Sequence, residues 1–144
     1  MFVWDLTTFT PLRNFRVGIG TLCDMAVHPD ARFPAVATTG PRGMLQVWDV
    51  RKGKLKSSLV GGHRSSLTAI AFSPDGDSVV SASKDNTASI WDLKALMEQN
   101  HVADNHPRYM EGGDLLNFWS DDTRASSFDF SPDGELLLIG GLNG

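Results

Sequence analysis

Residues Gly62–Leu93 read GHRSSLTAIAFSPDGDSVVSASKDNTASIWDL, and this stretch decides the fold. Leu67–Phe72 is a short apolar run that stops at Pro74-Asp75-Gly76. Proline presets φ, aspartate bonds its own backbone and glycine accepts any φ, so these three make a tight turn. Val79–Ser83 follows, then a polar turn at Lys84-Asp85-Asn86, then Ala88-Ser89-Ile90-Trp91. The order is strand, turn, strand, turn, strand. Small and apolar residues occupy both faces of these strands, as expected where a sheet is covered on both sides.

Three words of this stretch recur along the chain. Ile90-Trp91-Asp92-Leu93 is preceded by Val47-Trp48-Asp49-Val50 and Val3-Trp4-Asp5-Leu6, with steps of 44 and 43 residues between tryptophans. Ser73-Pro74-Asp75-Gly76 has counterparts in His28-Pro29-Asp30 and Ser131-Pro132-Asp133-Gly134, at steps of 45 and 58. The third word is Gly62-His63, with His63 standing 28 residues before Trp91.

This set resembles the WD40-repeat family of β-propellers, whose repeats run to about 40–45 residues, with Gly-His near the start and Trp-Asp near the end. The repeat signature residues are Trp4, Asp5, Trp48, Asp49, Trp91 and Asp92. The resemblance spans essentially the whole chain and implies an all-β fold, a partial propeller of about three four-stranded antiparallel blades with the end blades split between the two termini. In the family's naming, strands a to d run outward from the central channel. Strand a is expected at about 22–27, 67–72 and 125–130, and strand b at about 34–38, 78–83 and 135–140. Strand c is expected at about 1–5, 44–49 and 87–92, and strand d at about 13–17, 54–60 and 115–119. Residues 1–144 then form a single propeller segment with a leading strand at 1–6 and repeats at about 7–50, 51–93 and 94–144.

An insertion at 94–114 accounts for the long step of 58. Lys94–Gln99 has helix-forming residues that Asn100 could stop, and His101, His106 and Met110 follow in what reads as a solvated polar loop. Two histidines five apart, with no carboxylate or cysteine at ligand spacing, make a weak metal site, so no metal or cofactor is expected. Three blades also fall short of the roughly four to eight that close a ring. Either the chain is part of a larger propeller, or two copies self-associate into a six-bladed ring in which each end blade is shared.

The resemblance further implies a structural tetrad of His63, Ser83, Asp85 and Trp91. Indole, hydroxyl, imidazole and carboxylate can satisfy one another in a chain, which removes the cost of burying them. A hydrolase triad is the tempting alternative. It needs an exposed serine beside an oxyanion hole, and Ser83 and Asp85 stand two apart with no Gly-x-Ser-x-Gly word near them. No catalytic residues are assigned and the chain is read as a non-enzyme. The other repeats are degraded at the matching places, with Gly40 and Arg42 in the first, and Gly141, Asn143 and Asp121-Asp122 in the last.

In such propellers the d–a and b–c loops form the top face, the usual docking surface. Arg42, Arg64, Lys84, Asp121, Asp122 and Arg124 fall on it here, and the three arginines could present a basic arc to an acidic or phosphorylated peptide.

Composition narrows the function classes. The 144 residues are 41% hydrophobic and 21% charged, the profile of a globular domain with a real core. The net charge of −4 argues against a general nucleic-acid binder. No apolar stretch approaches the roughly 20 residues that span a bilayer, and Met1–Asp5 lacks the features of a signal peptide. Cys23 has no internal partner for a disulfide and reads as a buried thiol in a reducing compartment, cytoplasm or nucleus. The expected function is a non-catalytic protein–protein interaction scaffold inside a multi-protein complex. A nucleic-acid- or chromatin-associated adaptor is the alternative, with Arg51-Lys52-Gly53-Lys54-Leu55-Lys56 as its candidate basic patch.

Overall fold

A computed structural model describes residues 1–16, 22–30, 35–39, 43–60, 62–93, 108–111, 114–116 and 125–141. The regular elements among them are strands. In chain order they are β1 (Phe2–Asp5), β2 (Thr10–Asn14), β3 (Met25–Val27), β4 (Ala35–Thr39), β5 (Leu45–Asp49), β6 (Lys54–Val60) and β7 (Leu67–Phe72). There follow β8 (Ser78–Ser83), β9 (Ala88–Asp92), β10 (Arg108–Glu111), β11 (Asp114–Leu116), β12 (Ala125–Phe130) and β13 (Leu137–Gly141).

Two blades are complete. One runs β3-β4-β5-β6 and the other β7-β8-β9-β11, each antiparallel from strand to strand. Their registers coincide: Val36 stands opposite Trp48 in the first, and Val79 opposite Trp91 in the second. Two half-blades flank them, β1-β2 with the c and d positions and β12-β13 with a and b. The inner strand β7 lies between β3 and β4 on one side and β12 on the other. The fold is therefore the all-β partial propeller that the repeat words imply.

The short words act as turn chemistry. In the a–b turn the Ser73 hydroxyl donates to Asp75 and accepts the Ser78 amide at 3.0 Å, while the Gly76 amide returns to the Ser73 carbonyl at 2.9 Å. Ser131, Asp133 and Gly134 repeat this pattern, with the Leu136 amide on Ser131 Oγ at 2.9 Å. Gly76 and Gly134 both have positive φ, at +78° and +76°. In the Trp-Asp word the aspartate caps the c–d turn: Asp5 Oδ1 accepts the amides of Thr7 and Thr8, and Asp49 Oδ1 that of Lys52. β2 starts at Thr10, three residues before the expected 13–17, and follows Asp5 at the same distance as β6 follows Asp49.

The a–b turns also tie neighbouring blades. His28 replaces the serine of the first repeat, and its ring reaches across to the next turn. Its Nδ1 accepts the Asp30 amide at 3.0 Å, which leaves Nε2–H to donate to the Gly76 carbonyl at 3.0 Å. A Cβ on Gly76 would collide with that ring, so glycine there serves the contact as well as the turn.

The main core sits between the two complete blades. Leu45, Val47 and Leu59 of one meet Leu67, Ile70, Val79, Trp91 and Leu93 of the other. A second cluster joins Ala69 and Ala82 to Ala125, with Phe128 and Ile139 beside them. Alanine on both sides lets β12-β13 approach closely.

Two expectations need correction. Part of the insertion is strand: β10 pairs parallel with β6, Arg108 opposite Ser57 through Glu111 opposite Val60, as a fifth strand on the outer edge of the first blade. An outer strand seven residues long leaves a row of backbone groups open, and β10 satisfies part of it. Residues 94–107, with the expected helix and both histidines, lie outside the described residues. Cys23 is exposed, not buried. It lies two residues before β3, whose Met25 and Val27 are also exposed, since no described residue covers their face.

Candidate functional site

The second complete blade places its polar residues in one buried chain. Period 2 along β8 points Val79, Ser81 and Ser83 to one face, and pairing with β9 sets Trp91 opposite Val79. The indole then reaches the next residue on that face: Trp91 Nε1–H donates to Ser81 Oγ at 2.8 Å. His63 Nε2 lies 2.8 Å from the same oxygen, and its Nδ1 lies 2.8 Å from Thr87 Oγ1. Thr87 gives its proton to Asp85 Oδ1 at 2.5 Å, and the Arg64 amide meets Asp85 Oδ2 at 2.5 Å.

One tautomer satisfies the whole set. A carboxylate only accepts, so Thr87 donates to Asp85 and must accept from His63 Nδ1–H. Nε2 is then the acceptor and takes the Ser81 proton, while Ser81 accepts from the indole. The chain runs Trp91, Ser81, His63, Thr87, Asp85 without a conflict. The direct separation of His63 Nδ1 and Asp85 Oδ1 is 3.6 Å, so threonine mediates most of that contact.

Burial holds the His63 pKa below its ordinary 6.5, against the opposing pull of Asp85 and the Ser81 contact. For Asp85 burial pushes upward, but the Thr87 hydroxyl, the Arg64 amide and His63 outweigh it and keep the carboxyl below 3.8. A neutral imidazole beside an ionised carboxylate follows.

The hydroxyl between the rings belongs to Ser81, whereas the sequence pointed to Ser83. Ser83 Oγ donates to the Ser66 carbonyl and accepts the Asp85 amide, each at 3.2 Å, and so shapes the b–c turn. Thr87 is the other member that sequence reasoning missed. The serine–imidazole–carboxylate order is that of a hydrolase, yet Ser81 is fully buried and its oxygen already receives the indole proton. An acyl-transfer nucleophile needs open space and oxyanion donors at its oxygen.

The same chain fastens two loops above it. The Lys84 amide bonds the Ser66 carbonyl at 2.9 Å, and Asp85 holds the Arg64 amide, so the d–a loop 63–66 and the b–c turn 84–86 are tied to each other. Asn86 takes the positive φ of +65° that this turn needs, as Gly43 does at +70° in the first blade. A Cβ on Gly43 would stand 2.5 Å from the Ser65 carbonyl, which puts the b–c turn of one blade against the d–a loop of the next. Arg64 and Lys84 are left exposed on this loop pair. Arg42, Asp121, Asp122 and Arg124 lie outside the described residues. Gly62 has the matching role below, where a Cβ would stand 2.5 Å from the Trp91 ring.

Of the other signature residues, Trp48 is buried with Phe15 at 5.7 Å between ring centroids, and Trp4 is exposed. The run 51–56 does not form one patch. Arg51, Lys52 and Lys54 are exposed, but Lys56 is half-buried and burial lowers its pKa. These residues occupy the turn and the part of β6 that β10 leaves uncovered, where charge discourages strand addition. Among the described residues no cluster of three or more His, Cys, Asp or Glu could hold a metal, and no helix is long and apolar enough to cross a membrane.

Residues 53–92 match the family model described as "WD domain, G-beta repeat". Transducin beta-like protein 3 of Bos taurus is 29% identical over 100 residues, which is 69% of this chain and 12% of that protein. Protein tipD of Dictyostelium discoideum is 33% identical over 82 residues, 57% of this chain and 13% of its own length. The chain thus spans about an eighth of the curated relatives it matches. A chain in the solved structure "Chaetomium thermophilum Polycomb Repressive Complex 2 bound to GSK126" superposes with a TM-score of 0.75 at 20% identity, over 96% of this chain and 30% of that one. That likeness is one of fold.

Proposed function

The chain is a WD40-repeat protein, and on that footing we propose that it is a non-catalytic scaffold whose top-face loops dock a partner protein inside a larger assembly. WD40 repeats generally mediate protein–protein interaction. The observation that carries the reading is the loop pair 63–66 and 84–86, held by a buried hydrogen-bonded chain and presenting Arg64 and Lys84 to solvent. A rigid loop offers its side chains without an ordering cost on binding, which is where affinity is otherwise lost. Two cations on such a platform favour an acidic or phosphorylated segment. The buried Ser81 and neutral His63 support a structural role for the network. We place the protein inside the cell, in cytoplasm or nucleus, without a cofactor.

A panel of acidic and phosphorylated peptides, titrated by fluorescence anisotropy at two salt concentrations, tests this. The double variant Arg64→Ala, Lys84→Ala is expected to weaken the best peptide roughly tenfold, about 1.4 kcal/mol. Equal binding by the variant, or no salt dependence, would remove the basic-arc reading.

A further inference from the structure

The seven-residue strand β6 is the outer d strand of the first complete blade, and a stretch of this same chain already pairs along its far edge. β10 runs parallel to β6 over four ladder positions, from Arg108 opposite Ser57 to Glu111 opposite Val60. Strand addition to this edge is therefore an observed property of the blade. Among the described residues, none pairs with the outer side of Lys54–Lys56.

The occupant matches the edge poorly in three respects. A parallel ladder is somewhat weaker per residue than an antiparallel one. Pro107 precedes Arg108 and has no amide hydrogen, so the ladder gains no donor in the direction of Lys56. The charge order is also the reverse of what the edge favours. β10 begins with a cationic residue, Arg108, one ladder step from Lys56, and finishes with the acidic Glu111 against Val60. Like charges on neighbouring strand positions repel, so its basic end stands at the lysine end of the edge and its acidic end where the edge is apolar.

We propose that the outer edge of β6 is a strand-addition site for an extended acidic segment of a partner protein, and that β10 is the exchangeable strand guarding it. In this mode main-chain hydrogen bonds supply affinity and alternate side chains supply specificity. A segment as long as β6 gains the ladder positions that β10 leaves uncovered. Carboxylates level with Lys54 and Lys56 supply the opposite charge that β10 does not bring to that end. Lys54 is exposed, and so is Lys52 in the turn before it, which extends the cationic end of the edge. Lysines on an open edge turn away apolar strands, so the edge selects by charge. This outer rim is separate from the loop face proposed for docking, and either idea can fail alone.

Three fluorescein-labelled peptides, titrated by anisotropy against the 144-residue chain, test the proposal. One alternates glutamate with valine, one alternates lysine with valine, and the third is the glutamate peptide with alternate backbone nitrogens methylated. The glutamate peptide is expected to bind roughly tenfold tighter than either of the others. In its presence amide exchange should slow at residues 54–56 and speed up at 108–111. Consecutive amides of a strand point to opposite edges, so Tyr109→Pro with Met110→Pro removes one that faces β6. This pair is expected to tighten the glutamate peptide roughly tenfold, and Lys54→Glu to weaken it by a similar factor. Arg108→Glu corrects the charge order within the chain and is expected to weaken the peptide by holding β10 in place. Equal binding of the methylated peptide overturns strand addition, and equal binding of the lysine peptide overturns the acidic partner. Protection that appears at 63–66 and 84–86 in place of β6 overturns the site. Unchanged affinity in Arg108→Glu overturns the guarding role of β10, and this variant decides that role should the proline pair lose its strand signal in far-UV circular dichroism.

Discussion

At the scale of single residues, the His63 chain shows why buried polar groups can specify a blade. Ser81, His63 and Thr87 each bond a member on either side, so removing any of these three leaves two others without a partner. His63→Ala and Trp91→Ala are expected to cost about 2–4 kcal/mol each in urea unfolding, through lost packing and unpaired partners. Ser81→Ala should cost about 1–3 kcal/mol and more than Ser83→Ala, since Ser81 serves two buried rings and Ser83 only backbone groups of a loop. The reverse order would mean that Ser83 is the bridging hydroxyl. His63 also sets a pH dependence. Its folded pKa lies below its unfolded 6.5, so the unfolded chain takes the proton first. Stability from this group is complete above about pH 6.5 and falls as pH drops from there toward the folded value. The urea midpoint should decline between about pH 7 and pH 5.5, with a shallower slope in His63→Gln. An unchanged slope would show that His63 does not titrate differently on folding.

At the scale of elements, glycine decides how closely blades and loops meet. Gly62 has an ordinary φ, yet a Cβ there would collide with the Trp91 indole. Gly62→Ala should therefore destabilise by about 1–3 kcal/mol by overpacking. In Gly76→Ala the positive φ and the His28 ring both oppose the methyl group. A thermal melt of Gly76→Ala in a His28→Ala background separates these causes. If the ring contact matters, the glycine substitution costs less there than in the wild type. The parallel strand β10 belongs to the same scale. It adds a fifth strand to the blade before its own, so the insertion crosses from one repeat to the edge of another.

At the scale of the molecule, burial is concentrated in the middle. The β7-β8-β9 sheet has a packed cluster on each face, whereas β1-β2 and β12-β13 each have one face open. Amide hydrogen exchange should be slowest in β8 and fastest in the two half-blades at low protein concentration. Uniform exchange across all strands would contradict this gradient of packing.

Trp4, Trp48 and Trp91, with the three Pro-Asp turns, were enough to read the blades, their strand order and most of their boundaries. Those features are local: a capped turn or a strand of period 2 is written in neighbouring residues, and a repeat announces itself by its spacing. The hydroxyl of the buried chain was not legible that way. Ser81 and Ser83 lie on the same face of one strand, so periodicity cannot choose between them. The cross-strand register, which brings the Trp91 indole to Ser81, makes the choice. Likewise β10 carries little strand signal in Arg-Tyr-Met-Glu and exists where it does because an outer edge was open to it. Cys23 reads as a core thiol from its segment, but burial depends on what lies across from it. The sequence by itself determined the periodic, nearest-neighbour part of this protein. Tertiary structure decided which partners meet across strands and blades, because those contacts depend on distances that no spacing along the chain encodes.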